Sequence, residues 1–234
     1  MESLRWHVCA TTSEVCDRAV TWIVDTATEA IAQRGIFRIV LAGGETPRSV
    51  YENLRGAITD WRAWEVWFSD ERCLATDDPR RNSCMAETAL LGHVTIPPEQ
   101  VHVICAELGA HMAAEHYCAA LVDVPSFDLV LLGLGEDGHT ASLFPDNECG
   151  ESPGAPDVLA VYNAPKLPLE RVSLSARRLA HARCVLFLVS GIGKRAAVDA
   201  WRAGTRLPVS AICPTMGIDV LVEQICTETS CSHL

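Results

Sequence analysis

Two periodicities alternate along this chain. Val15, Ala19, Ile23, Ala27, Ala30 and Ile31 recur at about 3.6-residue spacing, which predicts a helix over residues 13–34 stopped by Gly35. Phe37-Arg38-Ile39-Val40-Leu41-Ala42 then reads as a short buried strand, and a glycine turn leads to a helix opening at Pro47. The same reading places strands at residues 65–69, 101–104, 128–132, 158–162, 171–174, 184–189 and 208–213. Helices are expected at 82–91, 110–122 and 194–203. Residues 145–157 mix glycine and proline with acidic side chains and read as a surface loop.

Most of these strands are nearly all apolar, and helices separate many of them. Strands of that kind are buried on both faces, so the expected fold is α/β: a mainly parallel, Rossmann-like sheet with helices on both faces. No internal repeat, low-complexity tract or linker interrupts the 234 residues, and one domain over 1–234 is expected.

Composition then narrows the chemistry. The formal charge is −11, which argues against nucleic acid or an anionic membrane as the main partner. No apolar run reaches the ~18–20 residues of a membrane span. The first residues lack the basic and apolar regions of a signal peptide, so a cytoplasmic protein is expected. Ser232-His233-Leu234 is near a peroxisomal address and gives a minor alternative. The eleven cysteines form no C-x-x-C and no zinc spacing, so neither a disulfide framework nor a metal site is expected.

Gly133-Leu134-Gly135-Glu136-Asp137-Gly138 spells the dinucleotide fingerprint, but Glu136 and Asp137 would repel a pyrophosphate. Pro145 also comes too early for the long helix that fingerprint needs. The turn instead presents His139 at the carboxyl end of a strand, with Asp137 two residues back to orient the imidazole. Ala42-Gly43-Gly44-Glu45-Thr46-Pro47 fits an ordinary strand-to-helix turn and an anion site at a helix start equally well. Ser69-Asp70-Glu71-Arg72 ends another strand, and Arg80-Arg81-Asn82 precedes a helix that can reach the same rim, with Asn82 as its cap. Ser190-Gly191-Ile192-Gly193-Lys194 repeats the strand, glycine turn and helix start, and carries one of only two lysines. A G-x-S-x-G elbow and an H-E-x-x-H helix are both lacking. The residues alone point to acid–base chemistry on a small phosphorylated molecule.

Four stretches, "LAGGETP", "WFSDER" with "DPRRN", "GLGEDGHTASLFP" and "SGIGK", fall in order between residues 41 and 194 and together resemble the 6-phosphogluconolactonases. The "K-x-P-x-x-R-V-S-L" stretch is similar too, with Ser173 where threonine is usual. The resemblance implies a fold like that of the glucosamine-6-phosphate deaminases. It also implies hydrolysis of 6-phospho-D-glucono-1,5-lactone to 6-phosphogluconate in the oxidative pentose phosphate pathway, without metal or cofactor; no obligate protein partner is evident from the sequence. His139, Asp137, Asp70 and Arg72 become the catalytic candidates; Gly43, Gly44, Thr46, Arg81, Asn82, Arg171 and Lys194 become the substrate-binding ones. Arg72 suits either the oxyanion or the phosphate. The deaminases continue their shared turn as "IAFNEP", with a glutamate that partners the histidine; Phe144 stands at that position here. A deaminase-like enzyme and a non-catalytic sugar-phosphate-binding regulator are the alternatives.

Overall fold

Two sheets of opposite character meet at Ser69. The computed structural model describes residues 4–227. The larger sheet comprises β1 (Leu4–Cys9), β2 (Phe37–Leu41), β3 (Trp64–Phe68), β5 (Phe127–Gly133), β8 (Ala182–Val189) and β9 (Ile218–Glu223). Its order is β1-β9-β8-β5-β2-β3, and every pairing is parallel. β5 is buried along its length up to Gly133. Successive side chains point to opposite faces of a strand, so the sheet is covered on both.

The smaller sheet is antiparallel: β4 (Asp70–Arg72), β7 (Arg171–Leu174) and β6 (Val158–Val161), in the order β4-β7-β6. Ser69 belongs to both. Its amide donates to Leu41 O at the end of β2, and its carbonyl accepts from the Leu174 amide at the end of β7. The chain thus leaves the parallel sheet and at once delivers Asp70, Glu71 and Arg72 to the rim.

The helices are α1 (Thr12–Arg34), α2 (Glu45–Leu54), α3 (Asn82–Ala89), α4 (Ala110–Ala120), α5 (Ala176–Ala180) and α6 (Arg195–Arg202). α1 starts at Thr11, whose side chain accepts from the Glu14 amide, and stops at Gly35 with φ 74°. No helix among the described residues is long and apolar enough to cross a membrane.

The strand order makes a switch point. From β2 the sheet proceeds to β3 in one direction; from the adjacent β5 it proceeds to β8 in the other. The crevice outside such a reversal is where open α/β sheets bind ligands. The loops after β2 and β5 that flank it carry Gly43-Gly44 and Gly133–His139.

Several elements depart from the expectation. Val101 makes only one isolated bridge to Val66 in place of a strand over 101–104. The strand expected at 208–213 is instead a 3₁₀ turn over Pro208–Ala211. The last strand is β9, where a buried Asp219 interrupts the apolar run; it is paired to Arg5 on β1. Neither β1 nor the three-residue β4 has enough apolar alternation to declare itself. Ser232-His233-Leu234 and Cys231 lie outside the described residues. The other ten cysteines are free thiols, and burial pushes Cys184 up to about 11.

Candidate active site

β2 ends in a turn that only glycine can make. Tyr51, fully buried on α2, donates to the Ala42 carbonyl at 2.8 Å and accepts from the Ala42 amide at 2.9 Å, fixing the strand end. An added Cβ on Gly43 would lie 2.1 Å from Oδ1 of Asn82. Gly44 takes φ 112° as the N-cap of α2, and no side chain caps the helix. The first α2 amides therefore face the crevice without an internal acceptor, an arrangement suited to an anion. Thr46 is tied across the crevice by a 2.6 Å hydrogen bond with Ser190 at the end of β8.

β5 delivers His139. Its turn is closed by two backbone bonds, Gly135 N–H to His139 O at 2.7 Å and Gly138 N–H to Gly135 O at 3.0 Å. A Cβ on Gly135 would sit 2.0 Å from His139 Nδ1, so the missing side chain makes the room that the imidazole occupies. Asp137 Oδ1 lies 2.5 Å from His139 Nδ1 and accepts from the His139 amide at 3.2 Å. Burial pushes the Asp137 carboxyl up, but the hydrogen bonds from His139 outweigh it and hold the group below its ordinary value. With Nδ1–H donating to this carboxylate, the ring's lone pair lies on Nε2.

Asp70 is buried beside this turn at 5% exposure. Its carboxylate accepts from Ser142 Oγ at 2.7 Å, Asn82 Nδ2 at 3.0 Å and Ser69 Oγ at 3.2 Å. Arg171 donates through Nε to Pro168 O and through Nη2 to Lys166 O. Its guanidinium lies 5.5 Å from the centroid of Phe144, whose ring stands 4.9 Å from that of His139. Burial lowers the Arg171 guanidinium below its ordinary value, and the charge of Asp70 opposes that fall. Arg72 donates to Arg80 O, while its Nε is buried without a partner among the described residues. Lys194 ends the short turn before α6 and makes no ion pair among the described residues.

His139, Asp70, Arg72, Gly43, Gly44, Thr46, Asn82, Arg171 and Lys194 line one cavity of about 410 Å³. Asp137 lies outside that lining and touches His139. Arg81 is the exception among the expected binding residues. It is 2% exposed, donates to Glu107 Oε2 at 2.8 Å and Ile104 O at 2.7 Å, and faces Glu71. Its charge is consumed inside the protein, and it lies on a larger groove of about 1010 Å³ beyond Arg72, which no histidine lines. Asn82 is not the cap of α3 either. Arg81 is the N-cap residue, and Glu71 accepts from the Asn82 and Ser83 amides, leaving Asn82 to bind Asp70. Ser142, Thr140, Ser190 and Glu71 belong to the site or its support without having been singled out. Ser142 and Thr140 lie in the histidine's own motif, and only the fold shows which way they face. Among the described residues no cluster of His, Cys, Asp or Glu is arranged to hold a metal ion.

The family described as glucosamine-6-phosphate isomerases/6-phosphogluconolactonase matches residues 10–221. A 6-phosphogluconolactonase of Streptomyces coelicolor is 37% identical over 203 residues, covering 77% of this chain and 74% of that protein. A GDH/6PGL endoplasmic bifunctional protein of Homo sapiens is 35% identical over 226 residues. That match covers 90% of this chain, which spans only 28% of the relative's length. The crystal structure of a 6-phosphogluconolactonase from Thermotoga maritima superposes with a TM-score of 0.86 at 28% identity, covering 95% of this chain and all of that one.

Proposed function

We propose that this chain, which belongs to the glucosamine-6-phosphate isomerase/6-phosphogluconolactonase family, hydrolyses 6-phospho-D-glucono-1,5-lactone to 6-phospho-D-gluconate. The observation that carries this reading is the convergence of an oriented base and an anion cradle on one cavity. His139, held by Asp137, faces the free α2 amides, Lys194 and Arg171 across a space of about 410 Å³.

In this reading the substrate phosphate sits at the α2 amides of the Gly43–Thr46 turn, with Lys194 as its counter-charge. His139 Nε2 takes a proton from water as the water oxygen bonds to the lactone carbonyl carbon. The carbonyl electron pair moves to oxygen, where Arg72 or Arg171 opposes the developing charge. When the intermediate collapses, the bond from carbon to the ring oxygen breaks and the imidazolium returns its proton to that oxygen. The proton balance closes on His139, and Asp137 stabilises the transient imidazolium. General acid–base help of this kind contributes ~10²–10⁴-fold. Asp70, held by three donors, acts by position and charge.

Phe144 favours hydrolysis over deamination. The residue facing His139 at 4.9 Å is an aromatic ring, and no carboxylate is there to complete a ring-opening relay. The test is acid release from phosphogluconolactone above its spontaneous rate, beside ammonia release from glucosamine 6-phosphate. Acceleration of the first alone supports the reading; ammonia release alone overturns it. The concentration of basic groups around the crevice accounts for an anionic substrate on a chain of net charge −11.

A further inference from the structure

Thr140 follows His139 directly and lines the same cavity. It is 1% exposed, and its hydroxyl is a buried oxygen with no hydrogen-bond partner among the described residues. A hydroxyl in that condition is destabilising, and native proteins keep few of them. Valine has the same shape without the cost. The next residue adds a second observation: Ala141, also on the cavity wall, stands at φ 48°, a left-handed conformation uncommon for a residue with a side chain. Backbone strain of this kind collects where surrounding structure fixes a functional geometry. Here the surroundings are explicit. The Thr140 carbonyl accepts from the Leu143 amide at 2.9 Å, the Ser142 amide donates to Ser173 Oγ at 3.2 Å, and Ser142 Oγ is tied to Asp70. The backbone on either side of Ala141 is anchored, while the Thr140 hydroxyl is bound to no described residue.

One staggered step about χ1 carries a threonine hydroxyl to the position its methyl or its Cβ hydrogen held. The Thr140 hydroxyl forfeits no hydrogen bond by turning to a molecule in the cavity. The geometry points to Thr140 as a specificity residue that hydrogen-bonds a ring hydroxyl of the sugar lactone. This rests on the lactone-hydrolase reading. It gives the cavity what the phosphate cradle lacks, a means of telling a polyhydroxylated ring from any other phosphate ester. A buried hydroxyl placed for a substrate hydroxyl rejects the analogue without it, because both groups are otherwise left unpaired.

The test compares wild type with Thr140→Val and Thr140→Ser on 6-phosphogluconolactone and its 2-, 3- and 4-deoxy analogues, together with thermal unfolding and calorimetric binding of 6-phosphogluconate. Thr140→Val is expected to unfold at or above the wild-type temperature, because it deletes an unbonded hydroxyl. Its kcat/KM on the full lactone should fall about 10–100-fold, chiefly through KM. On one deoxy analogue the two proteins should become equal, and Thr140→Ser should restore discrimination. Binding of 6-phosphogluconate should weaken about tenfold in Thr140→Val, a reading independent of turnover. Wild-type kinetics in Thr140→Val overturn the proposal. So does an equal loss on the lactone and on every analogue, which marks general damage. If Thr140→Val and Thr140→Ala both fail to fold while Thr140→Ser folds, the hydroxyl is structural and the proposal fails. A wild type that binds 6-phosphogluconate through Thr140 but never opens the lactone would instead refute the hydrolase reading alone.

Discussion

Ser142 Oγ donates to Asp70 Oδ2 across 2.7 Å, and both residues are buried. They are 72 positions apart in the chain. The bond joins the histidine loop to the strand that carries Arg72, and Asn82 extends it to the start of α3. The site is a cross-braced assembly of loops from both sheets.

Replacing Ser142 with alanine leaves one Asp70 oxygen short of a donor inside the protein. A buried charged acceptor that loses a bond costs ~1–3 kcal/mol. For a chain of this size that corresponds to a fall in Tm of roughly 3–10 °C. Activity is expected to drop about tenfold. Ser142→Thr keeps the hydroxyl and is expected to lose less of both. Calorimetry and initial rates check this; unchanged stability in Ser142→Ala would mean that the Asp70 brace carries no load.

Gly135 is the most sterically exacting position in the site. Gly135→Ala puts a methyl 2.0 Å from the present position of His139 Nδ1, so the ring must move. Displacement of a base by about 1 Å costs on the order of 10²-fold in rate. The expected result is a folded protein with kcat lowered by about that factor and KM little changed.

Lys194 contributes charge and makes no ion pair among the described residues. Lys194→Ala is expected to raise KM about tenfold or more and leave kcat nearly intact, the signature of lost uniform binding. Steady-state kinetics at two salt concentrations check it. A fall in kcat with KM untouched would place Lys194 at the reacting carbonyl.

Far from the site, Asp219 on β9 accepts from Arg5 Nε at 2.8 Å and Nη2 at 2.6 Å, and lies 2.8 Å from His7 Nε2. Burial pushes its carboxyl up, but the bonds from Arg5 and His7 prevail and the pKa lies below the ordinary value. The folded carboxyl then binds its proton less tightly than the unfolded one. This contribution is full above the unfolded value of ~3.9 and fades as pH falls through the folded value. Asp219→Asn should therefore lower Tm by about 5 °C at pH 7, with the gap to wild type closing below pH ~3.9 and the rate of turnover unaffected.

The parallel sheet was legible because its strands are continuous apolar runs and its helices carry 3.6-residue spacing. β9 was not, because Asp219 belongs to the core through Arg5 and His7, 214 and 212 positions away. β4 was not, because its three residues are all charged and pair only with β7. Among site residues, His139 and Lys194 announced themselves by glycine turns at strand ends. Arg81 misled because its neighbours along the chain place it on the rim, while its partners, the carboxylate of Glu107 and the carbonyl of buried Ile104, come from a distant segment. Thr140 and Ser142 were inconspicuous since a hydroxyl's role depends on which way the loop faces.

The proposed mechanism turns on His139 as the proton carrier of lactone hydrolysis. The most direct measurement is the rate of acid release from 6-phosphogluconolactone with His139→Asn, corrected for spontaneous opening and accompanied by a circular dichroism check of the fold. A folded protein is expected whose kcat falls by ~10²–10⁴ while KM stays within a few-fold of wild type. Wild-type kcat in a folded His139→Asn protein would contradict it.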